Sequence, residues 1–301
     1  MKQLIILSGK GGTGKTSVSA AFTHLAAIRE PPLHTVLADA DVDAANLEFV
    51  LAPNVLDRHE FIGGQVALID EKICTGCGTC KEVCRFDAVI ETEEVFQIDP
   101  IACDGCAACV YQCPSEAIQM VPQTAGHWFH SETPFGHLFH AALLPARENS
   151  GKLVTMVKQQ ARLLAMDSAY DLVIVDGPPG IGCPVISAVS GADLALIVAE
   201  PTAAGAHDMR RVLETTSHFG VQAIVCINKA DIYPIGAAEI EEFCREQGIR
   251  VIGQIPFDTS VTEAMVQGQP VTLYRPDSPA SIAMKNIWHE VLSVMKEPSN
   301  G

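Results

Sequence analysis

The glycine-rich segment at positions 9–16 constrains the fold of this chain more than any other feature. It reads GKGGTGKT, it follows an apolar, strand-like run, and a helical pattern begins at its last residue. Glycines let backbone N–H groups approach phosphates, the start of a helix attracts anions, and Lys15 and Thr16 supply a positive charge and a Mg²⁺ ligand. The order of strand, loop and helix therefore predicts a phosphate-binding loop in an α/β domain.

Strand-like and helical patterns alternate through most of the chain. Apolar or β-branched runs predict strands at 3–8, 35–39, 171–176, 194–199, 221–227 and 250–255. Helical patterns occupy 16–28, 205–218, 237–247 and 278–295. Because strands that alternate with helices form parallel sheets covered on both faces, we expect an α/β, P-loop layered fold with a mainly parallel sheet.

Cysteine is concentrated in one short segment. Eight of the 11 cysteines form two copies of C-x2-C-x2-C-x3-C at an offset of 29 residues: Cys74, Cys77, Cys80 and Cys84, then Cys103, Cys106, Cys109 and Cys113. This doubled spacing resembles that of bacterial ferredoxins with two [4Fe-4S] clusters, in which the fourth cysteine of each run binds the other cluster. Zinc sites, the alternative, usually use separated cysteine pairs.

The ferredoxin pattern implies how the ligands are shared. One cluster would use Cys74, Cys77, Cys80 and Cys113, and the other would use Cys103, Cys106, Cys109 and Cys84. Arg85 departs from the pattern, because proline follows only the second run, as Pro114. We expect an inserted α+β ferredoxin-type domain at 63–121 within a discontinuous P-loop ATPase domain at 1–62 and 122–301.

Acidic residues dominate the charge of the chain. The 36 Asp and Glu residues against 20 Lys and Arg give a net charge of -16, and segment 63–121 holds ten acidic and three basic residues. This sign disfavours nucleic acid and suits a basic redox or metallocofactor-acceptor partner. No apolar run is long enough to span a bilayer, and the amphipathic 278–295 stretch has few basic residues. We therefore expect a cytoplasmic protein with no stable membrane anchor, in which 278–295 packs on the core.

Further motifs follow the loop in the order found in one superfamily of ATPases. Lys10 makes the loop a K-G-G-T-G-K-T sequence, residues 39–41 read DAD, and Asp176 ends an apolar run before the sequence GPPG. Together they resemble the deviant Walker A, switch I and Walker B motifs of the MinD, ParA and Mrp superfamily. Members with an inserted ferredoxin domain are often labelled cobyrinic acid a,c-diamide synthase-like, although no glutamine-amidotransferase constellation is apparent in this sequence.

The resemblance implies a role for each motif residue. Lys10 would reach across an ATP-dependent homodimer to the partner's phosphates, Lys15 would neutralise phosphate charge, and Asp41 would activate the attacking water. Mg²⁺ would be held by Thr16, Asp39 and Asp176. The phosphates would be bound by Gly9, Lys10, Gly11, Gly12, Thr13, Gly14, Lys15 and Thr16.

The residues expected to contact the base are compatible with either ATP or GTP. Asn228 and Asp231 lie in the sequence NKAD, where the family places a base-contacting asparagine. The same N-K-x-D pattern reads guanine in GTPases, because an aspartate accepts hydrogen bonds from two donors that adenine lacks. The family resemblance favours ATP, and the motif keeps GTP open.

Both motif sets in one chain favour a Mg²⁺-dependent ATPase that couples nucleotide state to two [4Fe-4S] clusters. The coupling would serve electron transfer or the assembly of iron-sulfur or other metallocofactors. The alternative is a positioning or regulatory ATPase of the MinD or ParA type, whose clusters are structural or sense redox state.

Two weaker features have open roles. Cys183, seven residues after Asp176, is either a packing residue or a redox or metal-transfer contact. A group of histidines surrounds Pro134 and Gly136, which favour a loop, and these histidines either pack or contact a metal or substrate. The group consists of His127, His130, His137 and His140.

Overall fold

The computed structural model describes residues 1–93, 95–145 and 150–297. Its strands are β1 (Lys2–Ser8), β2 (Thr35–Asp39), β3 (Asn54–Ile69), β4 (Val89–Glu91), β5 (Phe96–Ile98), β6 (Ile118–Thr133), β7 (Gly136–Leu143), β8 (Leu172–Pro179), β9 (Leu194–Ala199), β10 (Gln222–Asn228) and β11 (Arg250–Ile255). Its helices are α1 (Lys15–Ala27), α2 (Leu47–Leu51), α3 (Thr79–Val83), α4 (Ala108–Gln112), α5 (Ser150–Asp167), α6 (Cys183–Val189), α7 (Ala203–His218), α8 (Pro234–Glu246), α9 (Thr259–Val266), α10 (Val271–Tyr274) and α11 (Pro279–Lys296).

The larger sheet has nine strands in the order β11-β10-β9-β1-β8-β2-β7-β6-β3. β1 pairs in parallel with both β8 and β9, and the parallel pairing continues outward to β2, β10 and β11. β4 and β5 form a separate antiparallel pair. The predicted α/β fold with a mainly parallel sheet is confirmed. The carboxyl ends of its central strands meet at one edge, where open α/β sheets bind ligands.

Alternation along β1 assigns its side chains to opposite faces of the sheet. Leu4 and Ile6 belong to a buried core cluster that includes Phe22 of α1 and Trp288 of α11, and the centroids of these two rings are 4.9 Å apart. The C-terminal helix therefore packs on the core, as expected. None of the described helices is both long enough and apolar enough to cross a bilayer.

Most elements of the parallel sheet begin and end close to their predicted bounds. The predictions at 35–39, 194–199 and 250–255 coincide with β2, β9 and β11, and the other predicted strands and helices differ at their ends by up to three residues. The sequence patterns do not reveal β3, β6 or β7, the three strands that surround the cysteine-rich segment along the chain.

The chain folds into two compact units. The first comprises Met1–Arg58, Trp128–Ala142 and the chain from Ser150 onward, and the second comprises His59–His127 with a short stretch that begins at Leu143. The second unit has a small core of its own, built from Ala67, Phe96 and other apolar side chains with six of the eight motif cysteines packed in or against it. The predicted 63–121 insert lies within this unit, and its identity as a ferredoxin domain stays a prediction.

The histidine group lies on a hairpin, so the prediction of a loop there is wrong. Only Pro134 and Phe135 separate β6 from β7, and a two-residue turn joins neighbouring strands directly. His130 Nε2 lies 3.0 Å from His137 Nδ1, and the His130 ring stacks on Phe139. Strand β6 carries His127 and His130, and strand β7 carries His137 and His140.

His140 connects the hairpin to α2. Its Nε2 lies 2.9 Å from Ser131 Oγ, and its Nδ1 lies 3.2 Å from Glu48 Oε2. The order Ser, His, acid is that of a hydrolase triad, but Ser131 is fully buried and His140 is 3% exposed, so no substrate reaches them. Burial lowers the pKa of His140 to about 4, which keeps the imidazole neutral near pH 7.

We expect the first unit to lose stability as the pH falls from 6.5 towards 4. The pKa of His140 is about 4 in the fold and 6.5 without burial, so the unfolded chain binds a proton that the folded chain excludes. The free energy of unfolding should therefore fall by about 2 kcal/mol between pH 7 and pH 5. Denaturant unfolding at both pH values measures this loss. His140→Gln should show a smaller loss than His207→Gln, an exposed control, and equal losses would contradict the assignment.

Candidate nucleotide site and cysteine quartets

A cleft of about 580 Å³ opens at the carboxyl edge of the central strands. This volume is typical of a small-molecule site. The predicted nucleotide residues that line the cleft are Gly11, Gly12, Gly14, Lys15, Thr16, Asp41 and Asn228. The predicted residues that are not part of its wall are Gly9, Lys10, Thr13, Asp39, Asp176 and Asp231.

The loop conformation depends on its glycines and on a contact from β10. Gly12 and Gly14 have φ angles of 77° and 97°, a backbone region that residues other than glycine rarely adopt. A Cβ at Gly14 would also lie 2.4 Å from Nδ2 of Asn228. Asn228 donates a hydrogen bond from this Nδ2 to the carbonyl of Thr13 at 2.7 Å, so the end of β10 stabilises the loop.

Three polar side chains at the start of α1 meet the ends of β1 and β8. Lys15 is buried, and its Nζ donates to Ser8 Oγ at 2.9 Å. The hydroxyls of Thr16 and Ser19 donate to the two carboxylate oxygens of Asp176, at 2.7 and 2.9 Å. The loop, the first helix and the Walker B-like aspartate therefore form one hydrogen-bonded assembly.

Asp39 organises the segment that follows β2. Its Oδ1 accepts from the N–H of Asp41 at 3.1 Å, and its Oδ2 accepts from the N–H groups of Asn46 and Leu47 at 3.1 and 3.0 Å. Asp39 is fully buried, and it lies directly opposite Asp176 in the register of β2 and β8. Asp39 therefore holds the backbone of 41–47 beside the cleft, and its role toward Mg²⁺ stays a prediction.

The carboxylates at this edge resist ionisation. Burial, together with the charge of Asp176, raises the pKa of Asp39 well above its ordinary value, and burial raises the pKa of Asp176 against the opposing effect of Lys15. Burial also raises the pKa of Asp41 to about 6. A divalent cation stabilises such carboxylates, and carboxylate and hydroxyl oxygens such as those of Asp176 and Thr16 suit Mg²⁺.

Glu200 is a functional candidate that the motifs do not include. Its carboxylate lies 2.7 Å from Lys10 Nζ and 2.5 Å from Lys229 Nζ, and Glu200 is only 9% exposed. Burial opposes ionisation, but hydrogen bonds and ion pairs with the two lysines lower the pKa of Glu200 overall. Lys229 Nζ also lies 3.3 Å from the Gly12 carbonyl oxygen. A charged residue directly after the buried strand β9 is the sequence signal that points to this position.

Asp231 faces the backbone beside the cleft. Its Oδ1 accepts a hydrogen bond from the N–H of Phe257 at 2.6 Å, and its side chain does not line the cleft. The wall in this region is formed instead by Pro256, Phe257 and Val261. An apolar wall of this kind suits the flat face of a nucleobase.

Two small cavities in the second unit are each lined by four thiols. We call them the first quartet, which consists of Cys74, Cys77, Cys80 and Cys113, and the second quartet, which consists of Cys84, Cys103, Cys106 and Cys109. Each quartet takes three cysteines from one motif and the fourth from the other motif, the same division that the ferredoxin pattern implies. Among the described residues, no three or more His, Cys, Asp or Glu side chains converge on the position of a single metal ion.

Comparison with known proteins assigns the chain to a family. Residues 4–271 match the model of the CobQ/CobB/MinD/ParA nucleotide binding domain. The chain belongs to this family. An uncharacterized protein of Methanocaldococcus jannaschii is 33% identical to it over 96% of both chains. An iron-sulfur cluster carrier protein of Pyrococcus horikoshii is 24% identical and covers 98% of this chain and 87% of its own.

A solved structure shows the same fold. The septum site-determining protein MinD of Pyrococcus horikoshii, in complex with Mg-ADP, superposes with a TM-score of 0.59 at 18% identity and covers 98% of this chain and 97% of its own. In this MinD/ParA-type domain, Cys183 is exposed and is the first residue of α6. Its role as a redox or transfer contact stays a prediction.

We expect Glu200→Gln to bind nucleoside triphosphate about threefold to tenfold more tightly, because it removes a negative charge and releases Lys10 and Lys229 toward the phosphates. Isothermal titration calorimetry of the purified protein measures the affinity. Glu242→Gln is the matched control, because Glu242 is exposed and pairs with Arg245 on α8. Unchanged or weaker binding by Glu200→Gln would contradict the inferred role of Glu200.

Proposed function

We propose that this chain is an ATP-hydrolysing switch protein that carries two [4Fe-4S] clusters and couples its nucleotide state to them. The observation that carries this proposal is the presence, in one chain, of a family nucleotide cleft and of two cavities lined by four thiols each. The name of the Pyrococcus relative, an iron-sulfur cluster carrier protein, supports a role in cluster assembly.

The cleft supplies what phosphoryl transfer requires, which is positioning and charge compensation. Lys15 and the N–H groups of the loop would bind the phosphates. Thr16 and Asp176, which are hydrogen-bonded to each other, would hold Mg²⁺. Asp41 lines the cleft with a pKa raised to about 6, which suits a carboxylate that orients and accepts a proton from the attacking water.

The contacts of Asp231 favour ATP as the nucleotide. Reading guanine requires both carboxylate oxygens to face the base, and one oxygen of Asp231 already accepts the N–H of Phe257. The apolar wall beside it does not select guanine over adenine. We therefore infer that this pocket binds adenine and that Asp231, three residues after β10, has a structural role.

Lys10 would act in a dimer. In a single chain its ammonium group pairs with Glu200, and 38% of the side chain is exposed. The family resemblance implies that this lysine reaches the phosphates of a second subunit. A triphosphate carries more negative charge than one carboxylate, so a partner with bound nucleotide would compete with Glu200 for Lys10.

The quartets fit the chemistry of [4Fe-4S] clusters. Thiolates are the ligands of such clusters, and the second unit supplies eight cysteines, six of which pack in or against a small apolar core. Bound clusters would supply one-electron chemistry or serve as cargo for an acceptor protein. The acidic character of segment 63–121 suits an acceptor with a basic surface.

The chain itself provides a route between the two kinds of site. Asp39 holds the N–H of Leu47, where α2 begins, and β3 follows α2 and ends at Ile69, shortly before Cys74. A change in the segment 41–47 on nucleotide binding would therefore act on α2, which the chain connects to the strand that leads into the cysteine motifs. This continuity supports coupling between nucleotide state and cluster state.

Lys10→Ala should lose ATP-dependent dimerisation and at least about tenfold in hydrolysis, because it removes a charge that compensates the transferred phosphoryl group. Light scattering after size-exclusion chromatography, with ATP and with GTP, and phosphate release at several protein concentrations measure both effects. Lys285→Ala is the control, because Lys285 donates to the Pro276 carbonyl on the exposed side of α11. Full turnover and dimerisation by Lys10→Ala, or a clear preference for GTP, would contradict the proposal.

Pairs of Cys→Ser substitutions test how the ligands are shared. If the quartets are the binding sites, Cys74→Ser with Cys113→Ser removes one cluster and leaves about four iron atoms per chain, whereas Cys74→Ser with Cys84→Ser damages both. Anaerobic iron analysis and the absorbance near roughly 400 nm measure the clusters.

Cys183→Ser is the matched control for these variants, because Cys183 is an exposed cysteine outside both quartets, and it should keep about eight iron atoms. The reverse result, in which Cys74→Ser with Cys84→Ser is the pair that keeps one cluster, would contradict the crossed arrangement. Bound zinc without iron would contradict the clusters altogether.

A further inference from the structure

The two quartets are built on one repeated backbone. Every residue that lines the second cavity has a counterpart 29 positions away that lines the first. The repeat extends to unusual backbone angles, because Gly76 and Gly105 have φ of 70° and 74°, and Asp87 and Glu116 have φ of 51° and 53°. Helices α3 and α4 occupy matching positions at the same offset. The backbones of the two quartets are therefore closely similar. Besides one backbone contact in the first quartet, in which the N–H of Ala117 donates to Cys113 Sγ at 3.4 Å, the differences between them come from side chains.

The side chains differ at the positions closest to the sulfur atoms. Thr79 Oγ1 lies 3.5 Å from Cys77 Sγ, and Ser115 Oγ lies 3.5 Å from Cys113 Sγ, both in the first quartet. The matched residues of the second cavity are Ala108 and Phe86, which have no polar side-chain atom. Two hydroxyl groups therefore approach the sulfurs of one quartet and none approaches at the matched positions of the other.

A third matched position differs in charge. Thr75 lines the first cavity, and its counterpart Asp104 lines the second. Both residues are exposed, so solvent weakens the effect of the Asp104 charge. The substitution nevertheless acts in the same direction as the loss of the two hydroxyls.

Hydrogen bonds to the sulfurs change the reduction potential of an iron-sulfur cluster. A metal-bound thiolate has no proton, so a neighbouring hydroxyl donates to it. Such donors stabilise the reduced cluster more than the oxidised one, because the reduced cluster carries one more negative charge. A nearby carboxylate has the opposite effect.

We propose that the two quartets hold clusters of unequal reduction potential, with the higher potential at the first quartet, and that Thr79 and Ser115 are the residues that set the difference. The proposal rests on the proposed function, because it requires that both quartets bind clusters. One electron from an external reductant would therefore reside at the first quartet before the second is reduced.

Two other influences on the potential do not reverse this order. Solvent exposure is similar, because Cys77 and Cys106 occupy equivalent positions and both are exposed, and the equivalent pair that differs is Cys80, which is buried, and Cys109, which is half-buried. Arg85 adjoins Cys84 of the second quartet, but it is exposed and does not line the cavity, so solvent screens its charge. The hydroxyl contacts are direct, and direct contacts to sulfur outweigh screened charges at the surface.

Stepwise reduction with dithionite, followed by electron paramagnetic resonance, tests the proposal on the full-length protein. The wild type should show two separate reduction steps. Thr79→Val with Ser115→Ala should reduce the equilibrium constant of the higher-potential step at least about tenfold, which lowers its reduction potential by ~59 mV for one electron. The potential of the lower step should not change. The reciprocal variant, Ala108→Thr with Phe86→Ser, should raise the lower step and leave the higher one unchanged.

Thr124→Val is the matched control, because it removes a hydroxyl from the second unit at a residue that lines neither cavity. Iron content is measured for every variant, so that a shifted step is compared only between fully loaded proteins. Fully loaded wild type with a single step, or variants that shift both steps equally, would overturn this inference and leave the proposed function standing. Protein that binds no iron after anaerobic reconstitution would overturn both.

Discussion

The nucleotide site depends on two buried carboxylates that face each other across neighbouring strands. Asp39 and Asp176 are register partners on β2 and β8, and both are excluded from water. Like charges in that position repel, so the pair is compatible with the fold only because backbone N–H groups, two hydroxyls and Lys15 surround it. Those same donors belong to the phosphate loop, the first helix and the segment after β2. The hydrogen-bond donors that stabilise the two buried carboxylates therefore belong to the segments that form the cleft.

The sequence predicts the parallel core and the positions of the chemistry well, for physical reasons. Buried parallel strands are continuous apolar runs, and β2, β9 and β11 begin and end where the pattern indicates. Motifs such as the loop around Lys15 depend on local backbone geometry, so their spacing is readable without the fold. Three cysteines of each quartet are grouped by equally short spacings, whereas the fourth comes from the other motif and follows only from the resemblance to ferredoxins.

Elements that depend on distant contacts are not readable in this way. β3 is largely exposed along its first half and lacks the alternation that marks a half-buried strand. The turn between β6 and β7 contains a proline and precedes Gly136, a composition that also fits an irregular loop. Glu200 gains its importance from Lys10 and Lys229, which are far from it in the sequence. Neither local pattern nor composition indicates that these three side chains meet.

The sharing of cysteines between motifs makes the two halves of the second unit mutually dependent. Each cavity lacks one thiol if the other half is absent, so neither 29-residue repeat is a complete binding module. A duplicated half of this kind is free to diverge in the side chains around its cavity, but it cannot be deleted, separated or transplanted alone. Loss of one half would leave the remaining half with three thiols in its own cavity and with a fourth thiol separated from the three that it accompanies in the other cavity.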